Sequence, residues 1–148
     1  MNQSHTYQVS LKWLGDRKGI VQSEALNKSI EVATPPEFPK GIPGIWSPEH
    51  LFVAAINSCF MTTFLAIAEN SKLEFHKFEC NAIGTLEKTE GKFRITEVTL
   101  FPELTVDNEN IFEKAIRVME MSEKGCLISN SVNSKINLQP EIKMLKAI

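Results

Sequence analysis

Three cysteines, at positions 59, 80 and 126, are the residues of this chain best suited to covalent chemistry. Only the thiolate is a good nucleophile, and an ordinary cysteine, with a pKa near 8.5, is mostly protonated at neutral pH. Cys59 lies between Ser58 and Phe60 in the uncharged stretch 51–68, LFVAAINSCFMTTFLAIA. Burial there favours the neutral thiol, so packing as a small hydrophobe stands beside catalysis as a reading of this residue. A fixed cation beside the sulfur would reverse the balance. At about 4 Å and an effective dielectric near 20 the attraction is about 4 kcal/mol, or about three pKa units before desolvation takes its share. Arg17 is the candidate cation, its other reading being a solvated turn charge like Lys18 beside it. Glu49 either satisfies a helix N-terminus or pairs bidentately with Arg17, orienting the guanidinium while cancelling part of its field. Cys80 shares a strand face with Phe78, Ala82 and Leu86 and reads as core. His5, His50 and His76 show no pairing suited to a metal or a general base, and His50 reads as a first-turn helix residue facing water or a neighbour.

The elements that must position these groups are legible in the pattern. Ser47-Pro48-Glu49-His50 gives a capping hydroxyl, a proline at the first helical position and an acid in the first turn. This predicts a helix from Pro48 that runs about six turns to the breaker Glu69-Asn70-Ser71-Lys72, with Cys59 mid-helix. Tyr7, Val9, Leu11 and Trp13 alternate on a first strand, and the turn Gly15-Asp16-Arg17-Lys18-Gly19 leads into Ile20-Val21 as a second. A third strand over 29–32 precedes an ordered loop, 34–46, rich in proline and glycine. Residues 75–88 and 92–105 predict a hairpin across Thr89-Glu90-Gly91, with Pro102 marking an edge or a bulge. Asp107 is the expected cap of a second helix carrying Ile111, Ala115, Val118 and Met119, ended by Lys124-Gly125, and 134–142 is expected as a closing strand. The sum is α+β, antiparallel sheet packed on helices.

Composition narrows the chemistry. A chain of 148 residues, 43% hydrophobic and 23% charged, reads as one domain, residues 1–148, with a core. A net charge of −2 gives no broad basic surface, so neither nucleic acid nor an anionic membrane is an expected partner. The stretch 51–68 approaches the length of a membrane span, but Asn57, Ser58, Thr62 and Thr63 sit in its middle and no basic flank follows. It reads as a helix for the centre of a core or the space between two subunits. The start, Met1-Asn2-Gln3-Ser4-His5, lacks the pattern of an export signal, and three scattered cysteines do not make a secreted disulfide framework. Reduced thiols in the cytoplasm are expected.

Three motifs in order resemble the OsmC/Ohr family of hydroperoxide reductases. Ser47-Pro48-Glu49-His50-Leu51-Phe52, with Cys59-Phe60 following, is similar to its first active-site motif. Gly125-Cys126-Leu127-Ile128-Ser129-Asn130 resembles its second cysteine segment, and Asp16-Arg17-Lys18-Gly19 its arginine hairpin. Where many members have proline after the second cysteine, this chain has Leu127. The resemblance implies an OsmC-like fold, an intertwined homodimer and a peroxidase of organic hydroperoxides. It further implies that Cys59 attacks the O–O bond and becomes a sulfenic acid, Arg17 holds the thiolate and the departing oxygen, and Glu49 orients Arg17. Cys126 would then condense with Cys59 to a disulfide. No bound cofactor or metal is implied; the reductant would be an external dithiol, dihydrolipoamide or a lipoylated protein. Phe38 and Trp46, bordering the proline-rich loop, either plug the core or, with Phe60, line an apolar entry that favours organic hydroperoxides, the entry being the preferred reading. Independently of the resemblance, a helix this apolar in so small a domain is easier to cover with two chains than with one. Two other classes stand beside the enzyme. One is a non-enzymatic ligand-binding or redox-sensing protein of the same fold, and the other a metal site built from Cys59, Cys126 and a histidine.

Overall fold

In the computed structural model, which describes residues 3–146, the chain divides into two compact units, 1–51 and 52–148, with the division falling inside the long helix rather than in a linker. Met1 and Asn2, where the reading for an export signal begins, lie outside the described residues. The secondary structure is α+β, as the sequence implies.

The first unit holds β1 (Ser10–Gly15), β2 (Lys18–Gln22) and β3 (Ile30–Ala33), an antiparallel sheet in the order β1-β2-β3. The β1–β2 turn is tighter than the sequence predicts, because Lys18 and Gly19 already pair in β2 and only Asp16 and Arg17 remain at the tip. Gly15 at φ 113° and Asp16 at φ 48° supply the left-handed backbone that so short a turn demands. The Trp13 indole N–H closes the tip on the Asp16 carbonyl at 2.9 Å. Of the expected apolar face, Leu11 and Trp13 fall in β1 while Tyr7 and Val9 precede it, and all four are exposed. In the loop that follows, Phe38 donates to the Pro35 carbonyl, Gly41 to Phe38 and Ile42 to Thr34, so it is ordered as expected. Ala33 donates to the Trp46 carbonyl at 2.9 Å and delivers the chain to Ser47.

The long helix α1 (Pro48–Asn70) starts where its proline predicts. The Ser47 hydroxyl accepts the His50 N–H at 3.1 Å, satisfying one of the donors that every helix N-terminus leaves open.

The second unit contains most of α1, then β4 (Lys77–Thr89), β5 (Lys92–Val106), α2 (Phe112–Gly125), β6 (Lys135–Leu138) and β7 (Glu141–Met144). Ile56, Phe60, Phe64 and Ala68, one residue per turn, form the buried stripe of α1. They pack with Val98, Leu100, Leu104 and Val106 of β5 and with Ala115, Val118 and Met119 of α2. Phe64 stacks on Phe78 with ring centroids 4.8 Å apart. Each such phenyl removed from water contributes about 1.5–3 kcal/mol. Although α1 is long and apolar enough to cross a membrane, this stripe belongs to the core of the chain itself.

Three boundaries differ from the sequence reading. Asn108, not Asp107, caps the second helical segment, its side chain accepting the Asn110 N–H at 2.9 Å in a 3-10 turn (Glu109–Ile111) ahead of α2. Asp107 instead meets His76 at 3.2 Å. The closing strand is two short strands, both parallel to β5 and separated by Gln139-Pro140. Pro102 is neither at an edge nor in a bulge; the bulge of this hairpin lies at Thr85/Leu86. Leu100 and Val106 give their carbonyls to Gln139 and Leu145, so Pro102, in the same alternation, turns its missing N–H toward the interruption between β6 and β7.

The loop before α1 is packed so closely that a β-carbon on Gly41 would lie 2.0 Å from the Pro35 carbonyl oxygen, whereas one on Gly44 would meet nothing within 4 Å. Gly41→Ala is expected to lower stability by about 2 kcal/mol or more, and Gly44→Ala, strained only by its positive φ, by about 1 kcal/mol. Urea unfolding midpoints of the two variants check the order.

Candidate active site

Cys59 sits midway along α1, one turn before Thr63, whose hydroxyl lies 4.0 Å from the sulfur. The C-terminal end of α2 arrives on the same face: a β-carbon on Gly125 would stand 3.7 Å from the Thr63 methyl group, an ordinary contact. At Cys126 the backbone leaves the helix in an extended conformation, φ −71° and ψ 113°. The chain then turns back, with the Asn130 N–H bonding the Cys126 carbonyl at 3.0 Å and the Ser131 N–H the Ile128 carbonyl at 2.9 Å. Side chains hold the turn as well, Ser131 donating to the Leu127 carbonyl and Asn130 to that of Lys124 at the end of α2. The outcome is that the Leu127 and Ile128 N–H groups and the Cys126 thiol all donate toward the Cys59 sulfur.

The electrostatics of the two thiols diverge. Burial pushes the Cys59 pKa up, but hydrogen bonds from the Ile128 N–H, the Cys126 thiol, the Thr63 hydroxyl and the Leu127 N–H together outweigh it, and the pKa falls below the usual value of 9.0. Cys126 is fully buried, and burial raises its pKa; donors from Ser129 oppose this, while the neighbouring Cys59 sulfur adds to it. The first proton to leave the pair therefore leaves Cys59, and the thiol that remains protonated is the one donating to it. Such an arrangement combines a nucleophilic sulfur with a second sulfur in hydrogen-bonding contact, as thiolate attack followed by disulfide formation requires.

Not all the residues expected at the site are gathered there. Arg17 is exposed at the tip of the β1–β2 hairpin, where its carbonyl accepts the Thr34 N–H at 3.2 Å. Glu49 is half-buried in the first turn of α1. Among the described residues no ion pair joins them, so the bidentate Arg17–Glu49 pair is not formed within this chain. Trp46 is half-exposed and lines a recess of about 310 Å³ with Gly44, Ile45 and His50, while Phe38 is half-buried in the proline-rich loop. His50 is not left to solvent alone, since its Nδ1 is 2.7 Å from the Ser47 hydroxyl and its ring stands edge-on to Trp46.

Phe60 is the clear correction. Although adjacent to Cys59, it is about 100° further round the helix, on the stripe that faces the core, and it is completely buried against Phe78 rather than lining an entry. Cys80 packs against the core as expected, and burial pushes its thiol up to about 11. Its expected neighbour Leu86 lies beyond the Thr85/Leu86 bulge and is exposed. Among the described residues no three of His, Cys, Asp and Glu gather as a metal site. Thr63 and the two amides were not foreseen. Helical spacing from Cys59 could have indicated Thr63, but a backbone N–H leaves no mark in a sequence.

Residues 41–141, more than half of the chain and including both cysteines, match the family of OsmC-like proteins. The chain belongs to that family. The OsmC-like fold is shared with solved structures at low sequence identity. An OsmC-like protein of unknown function from Vibrio cholerae is 22% identical, with a TM-score of 0.83 over 93% of this chain and 99% of its own. The organic hydroperoxide resistance protein OhrB of Bacillus subtilis is 24% identical, with a TM-score of 0.70 over 94% and 98%. An organic hydroperoxide resistance protein from Elizabethkingia anophelis, 22% identical, has a TM-score of 0.77 over 98% and 100%. By sequence, this OsmC-like chain is 22% identical to the uncharacterised protein YmaD of Bacillus subtilis over 93% of both.

The three thiols should separate by reactivity. Iodoacetamide modification followed by mass spectrometry against pH should place the Cys59 midpoint below that of an ordinary thiol and Cys126 above it. Cys80 should stay unreactive until near its value of about 11.

Proposed function

We propose that this OsmC-like protein is a thiol-dependent peroxidase of organic hydroperoxides, with Cys59 as the attacking thiol and Cys126 as its disulfide partner. The observation that carries the reading is a pair of neighbouring thiols that shift each other's ionisation, the more acidic one on α1 and the less acidic one at the end of α2. In the first step the Cys59 thiolate displaces RO⁻ from ROOH, giving a sulfenic acid, and RO⁻ takes up a proton to leave as the alcohol. In the second, the Cys126 sulfur attacks the sulfenic sulfur, forming the disulfide and releasing water. An external dithiol such as dihydrolipoamide, free or on a lipoylated protein, then reduces the disulfide to two thiols and becomes a cyclic disulfide itself. No bound cofactor is needed. Printed names of structural neighbours, which include organic hydroperoxide resistance proteins, agree with this chemistry.

Arg17 is assigned to the thiolate and the departing oxygen, and Glu49 to orienting it, in a homodimer. What supports the dimer is apolar surface that the single chain leaves open. Met61 and Leu65 on α1 are 38% and 42% exposed, and Trp13 on the arginine hairpin is 77% exposed. Pairing of two chains would cover such surface, and Arg17, which makes no ion pair among the described residues, would gain its anionic partner there. Trp46 and Phe38 are assigned to the substrate entry, and the cytoplasm, where free thiols stay reduced, is the proposed compartment.

Organic hydroperoxide consumption with dihydrolipoamide as donor is the test. Wild type should turn over many times, Cys59→Ser not at all, and Arg17→Met about 10- to 100-fold more slowly. Cys126→Ser should abolish the loss of two hydrogens that peroxide otherwise causes. A wild-type protein that reacts once and stops is a sensor, and that outcome defeats the peroxidase reading.

The dimer is tested by sedimentation: wild type should run at twice the chain mass, 16.7 kDa, and Leu65→Glu at the chain mass. A monomeric wild type removes the proposed route for Arg17.

A further inference from the structure

The turn after α2 does more than carry the second cysteine. Cys126 ends the helix in an extended conformation, and the carbonyls around it are taken up by Asn130 and Ser131. The peptide groups of Leu127 and Ile128 act on Cys59 as backbone hydrogen-bond donors that lower its pKa. Thr63 completes the set from the other side, one helical turn beyond Cys59 and in contact with the α2 terminus at Gly125. Two consecutive backbone donors and a hydroxyl converging on one sulfur form a fixed, uncharged anion holder.

We propose that the Leu127 and Ile128 N–H groups, with the Thr63 hydroxyl, help to hold the Cys59 sulfur as a thiolate from within its own chain, so that the segment supplying the resolving cysteine also activates the attacking one. The donors act on the anion and not on the neutral thiol. When Cys59 joins Cys126 in a disulfide, the negative charge disappears and these donors lose the acceptor that orders them. Holding the thiolate thus favours the reduced pair and couples the order of the turn to the redox state of the cysteines. The position suits the task, because leucine has an N–H that proline lacks, and the Leu127 side chain, 66% exposed, is not needed for packing.

That same feature supplies a single-atom test. Leu127→Pro deletes one donor, and the backbone of Cys126 already lies in the extended region that a following proline requires. Leu127→Ala keeps the donor and removes the side chain. Site-resolved alkylation against pH should show the Cys59 midpoint rising by about one unit in Leu127→Pro and in Thr63→Val, and staying in place in Leu127→Ala. A Leu127→Pro midpoint equal to that of wild type overturns the proposal. Should that variant fail to fold, the wild type itself decides. Its Leu127 and Ile128 amide protons should shift in NMR spectra with the same midpoint as Cys59 titration, and the shift should vanish in Cys59→Ser. Amide signals that ignore the titration overturn the proposal. None of these readouts uses peroxide, so the peroxidase reading and this one fail separately.

Discussion

The lowered pKa of one thiol in a largely apolar helix is the constraint around which the rest of this chain is arranged. Burial alone would keep Cys59 protonated, as it does Cys80, whose thiol is pushed up to about 11. The two cysteines differ in both depth and donors, Cys80 being the more deeply buried and Cys59 the better supplied with hydrogen bonds. Cys80 lies on a strand whose backbone groups are largely spent on sheet pairing, and the backbone hydrogen bond it receives from Phe101 does not offset its burial. Cys59 faces a turn whose Leu127 and Ile128 backbone groups act on it as hydrogen-bond donors. A helix can carry a reactive residue at its middle, far from its own amide terminus, only if another segment brings donors to it.

That segment is placed by packing. The stripe Ile56, Phe60, Phe64 and Ala68 seats α1 on β5 and α2, and it fixes which face of the helix Cys59 presents. Gly125 lets the end of α2 come down on Thr63 with no side chain between them. Cys126 is then buried where α2 stops, and burial, with the neighbouring Cys59 sulfur, raises its pKa.

Much of this arrangement was legible in the sequence. Ser47-Pro48 marks the start of α1 without ambiguity, because a capping hydroxyl and a helical first-position proline act locally. The turn Glu90-Gly91 marks the β4–β5 hairpin for the same reason, both residues adopting positive φ. What escaped was set by distant partners. Pro102 reads as an edge residue because a sequence does not say that the neighbouring strand is interrupted opposite it. Phe60 looked like part of the site through adjacency to Cys59, while the helical angle between them sends the two side chains to different surroundings. The cysteines could be nominated by type and order, but the groups that tune them are peptide N–H groups, identical in every residue but proline.

The parallel pairing of β6 and β7 with β5 bears on when the site comes into being. An antiparallel hairpin such as β4–β5 can close as soon as its own residues exist, whereas β6 must wait for the whole crossover through α2. The turn at Cys126 lies on that crossover and reaches its place only as the crossover docks. During synthesis, therefore, the α1 sulfur spends its first moments without the hydrogen bonds that lower its pKa in the folded chain.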